Sequence, residues 1–291
     1  MDTILDGLAH ARTYPYKGKD NLLATVKREQ ARLSEYVVFS HVDNTAFADL
    51  SCEANDDGKC DYAGLEKYDI IPTLIKDYSR LHDLLIVKMP VSGSHEQLHN
   101  GLALLINSKV LQMGLDRQLR QMGSTTVETR SREKRPDFSF TPRKLPKGRS
   151  DKWPTAAIEV GYSESLPKLQ ADAKFWIMES GGDVGIVLVA KIDRSQRQIV
   201  VQKWEAKPSR SQSQVTARLT QNVTISKKTV GGGEEKGQVK EGPLVVEFQK
   251  LFLRPAEKPS EADLVIENDD LMDMAEQVWE TQRFPNQQGS S

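Results

Sequence analysis

With 291 residues, 38% of them hydrophobic and 28% charged, the chain is long enough for one large domain or two small ones and has the composition of a globular protein with long polar loops. A formal net charge of −1 excludes a global basic field for nucleic acid. No apolar run approaches the roughly 20 residues needed to cross a bilayer. The start "MDTILDGLAHARTYPYKG" lacks the basic and apolar segments of a secretion signal, so the expectation is an intracellular protein of cytoplasm or nucleus, neither secreted nor membrane-bound. Cys52 and Cys60, in "SCEANDDGKC", have no usual zinc spacing and read as free thiols.

In chain order, "NLLATVKREQARLSEYV" (21–37) has helical spacing through Leu22, Val26 and Leu33. "GLEKYDIIPTLIKDYSRLHD" (64–83) reads the same way, with Pro72 as a break. Residues 1–83 are therefore expected to form a helical extension. "LLIVKMP" (84–90) is a short strand. The following helix has Ser94 as its expected N-cap and Gln97 as the capping-box partner. Its apolar face is Leu98, Leu102, Leu105, Ile106, Val110 and Met113. "STTVET" (124–129) and "RPDFSF" (135–140) are short strand candidates, and "TAAIEVGY" (155–162) is a buried strand. "LPKLQADAKFWIMES" (166–180) is a helix with Leu166, Leu169, Ala173, Trp176 and Ile177 inward. Gly181 and Gly182 end it. "VGIVLVAKI" (184–192) and "QIVVQKWEA" (198–206) are strands. The order is helix, strand, strand, strand, helix, strand, which points to an α/β (α+β) fold with a mixed sheet. Residues 207–243 read as a flexible insertion or hairpin. Residues 244–285 read as a C-terminal strand and an acidic amphipathic helix that pack on the core.

His95-Glu96-Gln97-Leu98-His99 spells H-E-x-x-H, which on a helix can hold zinc with a glutamate base beside it. The context weakens that reading. His95 falls in the first turn, Gly101 stands where zinc peptidases place an apolar residue, and no third ligand stands out. Two other carboxylates are more informative. Glu159 sits mid-strand among apolar neighbours, flanked on its own face by Ala157 and Gly161. A buried carboxylate needs a cation or metal as partner. Asp137 follows Pro136 at the head of a strand. The structural alternatives are an arginine partner or a turn cap for Glu159 and a Pro-Asp turn for Asp137.

"RPDFSF", then "PTAAIEVGYSES", then "LQADAKFWIMESGGDVGIVLVAKI" resembles the PD-(D/E)XK nuclease superfamily, the restriction-endonuclease-like fold. The chain is similar in particular to uncharacterised fungal proteins with a PD-(D/E)XK nuclease-like domain. The "KMP" (88–90), "HE" (95–96) and "EVGYSES" (159–165) pieces are the most specific, and the resemblance covers residues 84–206 as a nuclease-like core. It implies an αβββαβ core and a Mg²⁺-dependent (or Mn²⁺-dependent) nuclease acting on DNA, with RNA as the other substrate. Asp137 and Glu159 would bind metal, and Glu96 would complete the shell. The family's lysine belongs two residues after the second acid, where this chain has Gly161. Lys174 on the next helix is the expected substitute, with Lys168 as the alternative and a solvated surface lysine as the structural reading.

Residues 128–152 carry nine Lys/Arg and four Asp/Glu. Arg132, Lys134, Arg135, Arg143, Lys144, Lys147 and Arg149 are the expected phosphate contacts, or else a solvated loop. A second reading keeps the fold without catalysis, as a nucleic-acid or protein binding module. The acidic helix in 261–280, with eight acids and no base, would be its protein-facing surface.

Overall fold

The computed structural model describes residues 4–52, 68–89, 93–162, 166–208, 215–229, 235–282 and 284. Two compact units emerge: Met1–Val91 with Thr126–Arg135, and Ser92–Thr125 with Pro136–Ser291.

The chain begins with β1 (Arg12–Pro15), α1 (Lys19–Gln30), β2 (Tyr36–Ser40), α2 (Asn44–Ser51), α3 (Ile71–Leu74), β3 (Ile75–Ser79) and β4 (Leu84–Lys88). It then supplies α4 (Gly93–Gln112) and β5 (Leu119–Gln121) to the second unit before β6 (Val127–Glu128) and β7 (Arg132–Lys134) return to the first. The first unit is a six-stranded sheet in the order β1-β2-β4-β3-β7-β6. β1 and β2 are parallel, and the other pairs are antiparallel.

This corrects the helical extension expected over 1–83. Leu33 takes a left-handed φ of 59°, beyond the end of α1 at Gln30. The following "YVVFS" is β-branched and aromatic, and Val37 and Phe39 are fully buried. In the second expected helix, α3 lasts four residues before the chain extends into β3. The strand 84–88 exists, but it lies between β2 and β3 in this sheet rather than opening the core. Cys52 is disulfide-bonded rather than a free thiol, and Cys60 lies outside the described residues.

The second unit continues with β8 (Phe138–Pro142), β9 (Ala156–Tyr162), α5 (Leu166–Glu179), β10 (Ile186–Ile192), β11 (Gln198–Pro208), β12 (Val215–Thr229) and β13 (Glu235–Lys240). It closes with β14 (Leu244–Val246), α6 (Phe248–Phe252), β15 (Leu264–Ile266) and α7 (Asn268–Thr281). From α4 through β5, β8, β9 and α5 to β10, the order is αβββαβ, as expected of a restriction-endonuclease-like core. The first strand of the three is β5, not the expected 124–129. The sheet runs β13-β12-β11-β10-β9-β8-β5. β9 and β10 are parallel across the α5 crossover, and the remaining pairs are antiparallel.

Alternation along the strands assigns the two faces. Ile158, Val160, Ile186, Leu188 and Ala190 form one core with Leu98, Leu102 and Ile106 of α4 and with Leu271, Val278 and Trp279 of α7. The intervening Val187 and Val189 are also fully buried, and α5 packs over β9 to β12 with Leu169, Ala173 and Trp176 buried. Gly101 explains how α4 meets α7: a Cβ there would stand 2.7 Å from Met274 Cγ.

Of the flexible insertion or hairpin expected over 207–243, the hairpin forms: β12 pairs antiparallel with β11 and with β13. β12 is 15 residues long, and its Val223 and Ile225 are fully buried. Its polar composition reflects the alternate positions, not a mobile loop. Residues 209–214 and 230–234 lie outside the described residues. The C-terminal strand expected within 244–285 is short: β14 ends at Val246, and α6 follows from Phe248. Among the described residues, no helix is long and apolar enough to cross a membrane.

Candidate metal centre

The site gathers where the first turn of α4 meets β9 and the residue preceding β8. Asp137 enters β8 with its amide donating to Ile158 O at 3.1 Å. Its Oδ2 accepts the Val160 amide at 2.7 Å, and its side chain is 10% exposed. The same Oδ2 lies 3.7 Å from His95 Nε2. His95, 3% exposed, donates from Nε2 to Val160 O at 3.0 Å, since a carbonyl can only accept. Its Nδ1 lies 4.0 Å from Glu96 Oε1. Glu96 is half-exposed and takes a 2.8 Å hydrogen bond from His99 Nε2. The rings of His95 and His99 meet edge to face at 5.7 Å.

Ser94 is not a cap. The helix already includes Gly93, and the Ser94 hydroxyl lies 3.1 Å from the Tyr162 hydroxyl. Gln97 donates to Gln277 Oε1 of α7 rather than closing a capping box. Arg194 stacks over Tyr162 at 4.2 Å, which brings a cation to the end of β9. That contact was not legible in the sequence.

Glu159 is fully buried in β9, and its Oε1 accepts the Trp176 indole N–H at 2.6 Å. Trp176 belongs to a stripe on α5 at i, i+4, i+8 with Lys168 and Asp172. Lys168 and Asp172 are buried and paired at 2.6 Å. Lys174 is exposed and stands 5.9 Å from the Trp204 ring. Of the two lysines considered for the motif role, Lys168 is the one on the face shared with the Glu159 partner.

For a divalent ion held by oxygen donors, the fit is partial. Asp137 and Glu96 border the same imidazole, at its two nitrogens. Glu159 is engaged from the α5 side by an indole.

The expected phosphate contacts divide sharply. Arg132 and Lys134 are buried and converge on the fully buried Asp77. Arg132 Nε is 2.6 Å from Oδ1, its Nη2 also bonds Oδ2, and Lys134 Nζ is 3.0 Å from Oδ2. The register explains this, because Lys134 lies opposite Asp77 across β3 and β7. Arg135 donates to Pro72 O and Thr126 Oγ1. Arg149 has a 9% exposed side chain and donates to Trp153 O and Asp183 O. Burial lowers its pKa against the opposing pull of Asp183. Arg143, Lys144 and Lys147 are exposed. Arg132 and Lys134, committed to a buried carboxylate, are not available to a phosphate backbone. The acidic helix is likewise part of the fold: α7 buries Leu271, Met274, Ala275, Val278 and Trp279, and Asp270 and Glu276 pair with Lys109 and Lys227.

No family model matches the chain, and no curated protein matches it. Among solved structures it is similar to a "putative nuclease belonging to DUF820" from Anabaena variabilis ATCC 29413, with 14% identity and a TM-score of 0.38 over 70% of this chain and 92% of that one. A likeness this distant carries no argument about activity, and the relationship to fungal proteins finds no support there.

Proposed function

We propose that the chain is a divalent-metal-dependent phosphodiesterase of nuclease type, acting on DNA or RNA. The observation that carries this reading is the 2.7 Å hydrogen bond from the Val160 amide to Asp137 Oδ2. It docks the first acid of the expected pair on the peptide adjoining the second, Glu159, inside an αβββαβ core. Asp137 would hold Mg²⁺ or Mn²⁺, ions that favour carboxylate oxygens, and Glu159 and Glu96 would join it by leaving the Trp176 indole and the His99 ring. When bound, the ion would polarise the scissile phosphate and lower the pKa of an attacking water. Gly161 leaves the motif position without a cation, and Arg194 on Tyr162 supplies a positive charge at that end of β9. The exposed Arg143, Lys144 and Lys147 offer contacts to the phosphate backbone.

A binding module without catalysis is favoured by a separate observation: Glu159 is fully buried against the Trp176 indole. The discriminating experiment is cleavage of labelled DNA and RNA with Mg²⁺, with Mn²⁺ and with a chelator. It compares wild type, Glu159→Ala and Glu159→Gln, the last keeping an acceptor for the indole. Metal-dependent cleavage that falls on the order of 10²-fold in both variants supports the hydrolase. Retained binding with no cleavage under any metal supports the module. Cleavage insensitive to either substitution removes Glu159 from the site.

A further inference from the structure

The H-E-x-x-H turn is not used up by the carboxylate site. The structure gives His95 the hydrogen bonding that a metal ligand has. A ligating imidazole characteristically donates its other N–H to a carbonyl or carboxylate, which fixes the tautomer and aims the lone pair. His95 does this through Nε2–H to Val160 O at 3.0 Å, which leaves the lone pair on Nδ1, the nitrogen that faces Glu96. His99 Nε2 points at Glu96 Oε2 from 2.8 Å, a hydrogen bond that a dication between the two would replace. One ligand atom from each of His95, Glu96 and His99 can be chosen so that all three lie within 4.8 Å of one another. The rings are 3% and 12% exposed, whereas Glu96 is 49% exposed, so the cluster is walled by imidazoles and open on its carboxylate side.

We propose that His95, Glu96 and His99 bind a first-row transition dication, with Zn²⁺ as its probe. The donor chemistry selects the class. Two imidazole nitrogens and one carboxylate suit Zn²⁺, Co²⁺ or Ni²⁺, whereas Mg²⁺ and Ca²⁺ demand a shell of oxygens. The positive end of the helix dipole works against a cation in the first turn. The carboxylates of Glu96 and of Asp137, 3.7 Å from His95 Nε2, offset it. Three protein ligands leave a coordination position for water or substrate. The site shares Glu96 with the carboxylate centre proposed above, but its Zn²⁺ affinity is read directly, whether or not the chain cleaves nucleic acid.

The test is calorimetric titration of the chelator-stripped full chain with Zn²⁺ and, separately, Mg²⁺, alongside the visible absorption of the Co²⁺ form. His99→Gln is the probing variant, His41→Gln controls for exposed histidines, and circular dichroism checks the fold of each. The expected result is one Zn²⁺ bound at least 100-fold more tightly than Mg²⁺, weakened on the order of 10- to 100-fold by His99→Gln and unchanged by His41→Gln. Zn²⁺ affinity unaltered in a folded His99→Gln, or no tighter than that for Mg²⁺, overturns the proposal. Zn²⁺ binding without nucleic-acid cleavage leaves this site standing and removes the nuclease reading. Mg²⁺-dependent cleavage without Zn²⁺ binding does the reverse.

Discussion

Arg132, Lys134 and Asp137 are close neighbours in the sequence, yet they belong to two units and meet opposite fates. In the first unit the Asp77 carboxylate is fully buried and receives both Arg132 and Lys134. Its charge is neutralised by partners fixed in the sheet. In the second unit the Asp137 carboxylate, 10% exposed, receives a backbone amide and lies beside an imidazole held to a carbonyl. A backbone amide stabilises a carboxylate without cancelling its charge. An ion cluster closed by cations holds a fold together. A carboxylate that takes a backbone amide at a rim is placed to meet a cation.

The variant with the largest expected effect on stability attacks the closed cluster. Asp77→Ala removes the acceptor shared by two buried cations and should lower unfolding stability by about 3–5 kcal/mol in urea melts. Asp137→Asn, which keeps the acceptor for the Val160 amide, should cost within about 1 kcal/mol. Equal costs would erase the distinction between the two sites. Next comes Trp176→Phe, which deletes the indole donor to the buried Glu159. A loss of about 1.5–3 kcal/mol is expected, and a neutral result would show that Glu159 does not depend on that bond. Gly101→Leu forces a side chain into Met274 and should cost about 1–3 kcal/mol while lowering Zn²⁺ affinity, because α4 carries the histidines. Stability lost with Zn²⁺ affinity intact would separate the seat of the helix from the metal cluster. The smallest effect is expected from Lys174→Ala: under about 1 kcal/mol, the worth of an exposed cation–aromatic contact, with cleavage unchanged. A tenfold fall in cleavage would restore Lys174 to the motif role.

The second unit was the legible half. The apolar periodicity of α4, α5 and β10 announces its elements, and Glu159 stands out because a carboxylate in an apolar strand needs a partner. What hid was the partner itself. Trp176 read as an apolar core residue, and the Lys168–Asp172–Trp176 stripe beside the apolar one was legible only as spacing. The first unit was misread because "NLLATVKREQARLSE" runs into "YVVFS" with no glycine or proline between, and the break comes at Leu33 in a left-handed conformation that leucine seldom adopts. The basic stretch misled for a different reason. Composition counts charges, but it does not show that Lys134 faces Asp77 across two strands distant in sequence. In 207–243, polar residues on one side of β12 concealed the buried Val223 and Ile225 on the other.

The most direct measurement is metal-dependent cleavage of labelled DNA and RNA by wild type and Asp137→Asn, with the melting temperature of each recorded in the same buffer. The expected result is cleavage that requires a divalent ion and falls on the order of 10²-fold or more in Asp137→Asn at a nearly unchanged melting temperature. Cleavage undiminished in Asp137→Asn, or no cleavage by the folded wild type with Mg²⁺ or Mn²⁺, would contradict a metal-dependent phosphodiesterase centred on Asp137.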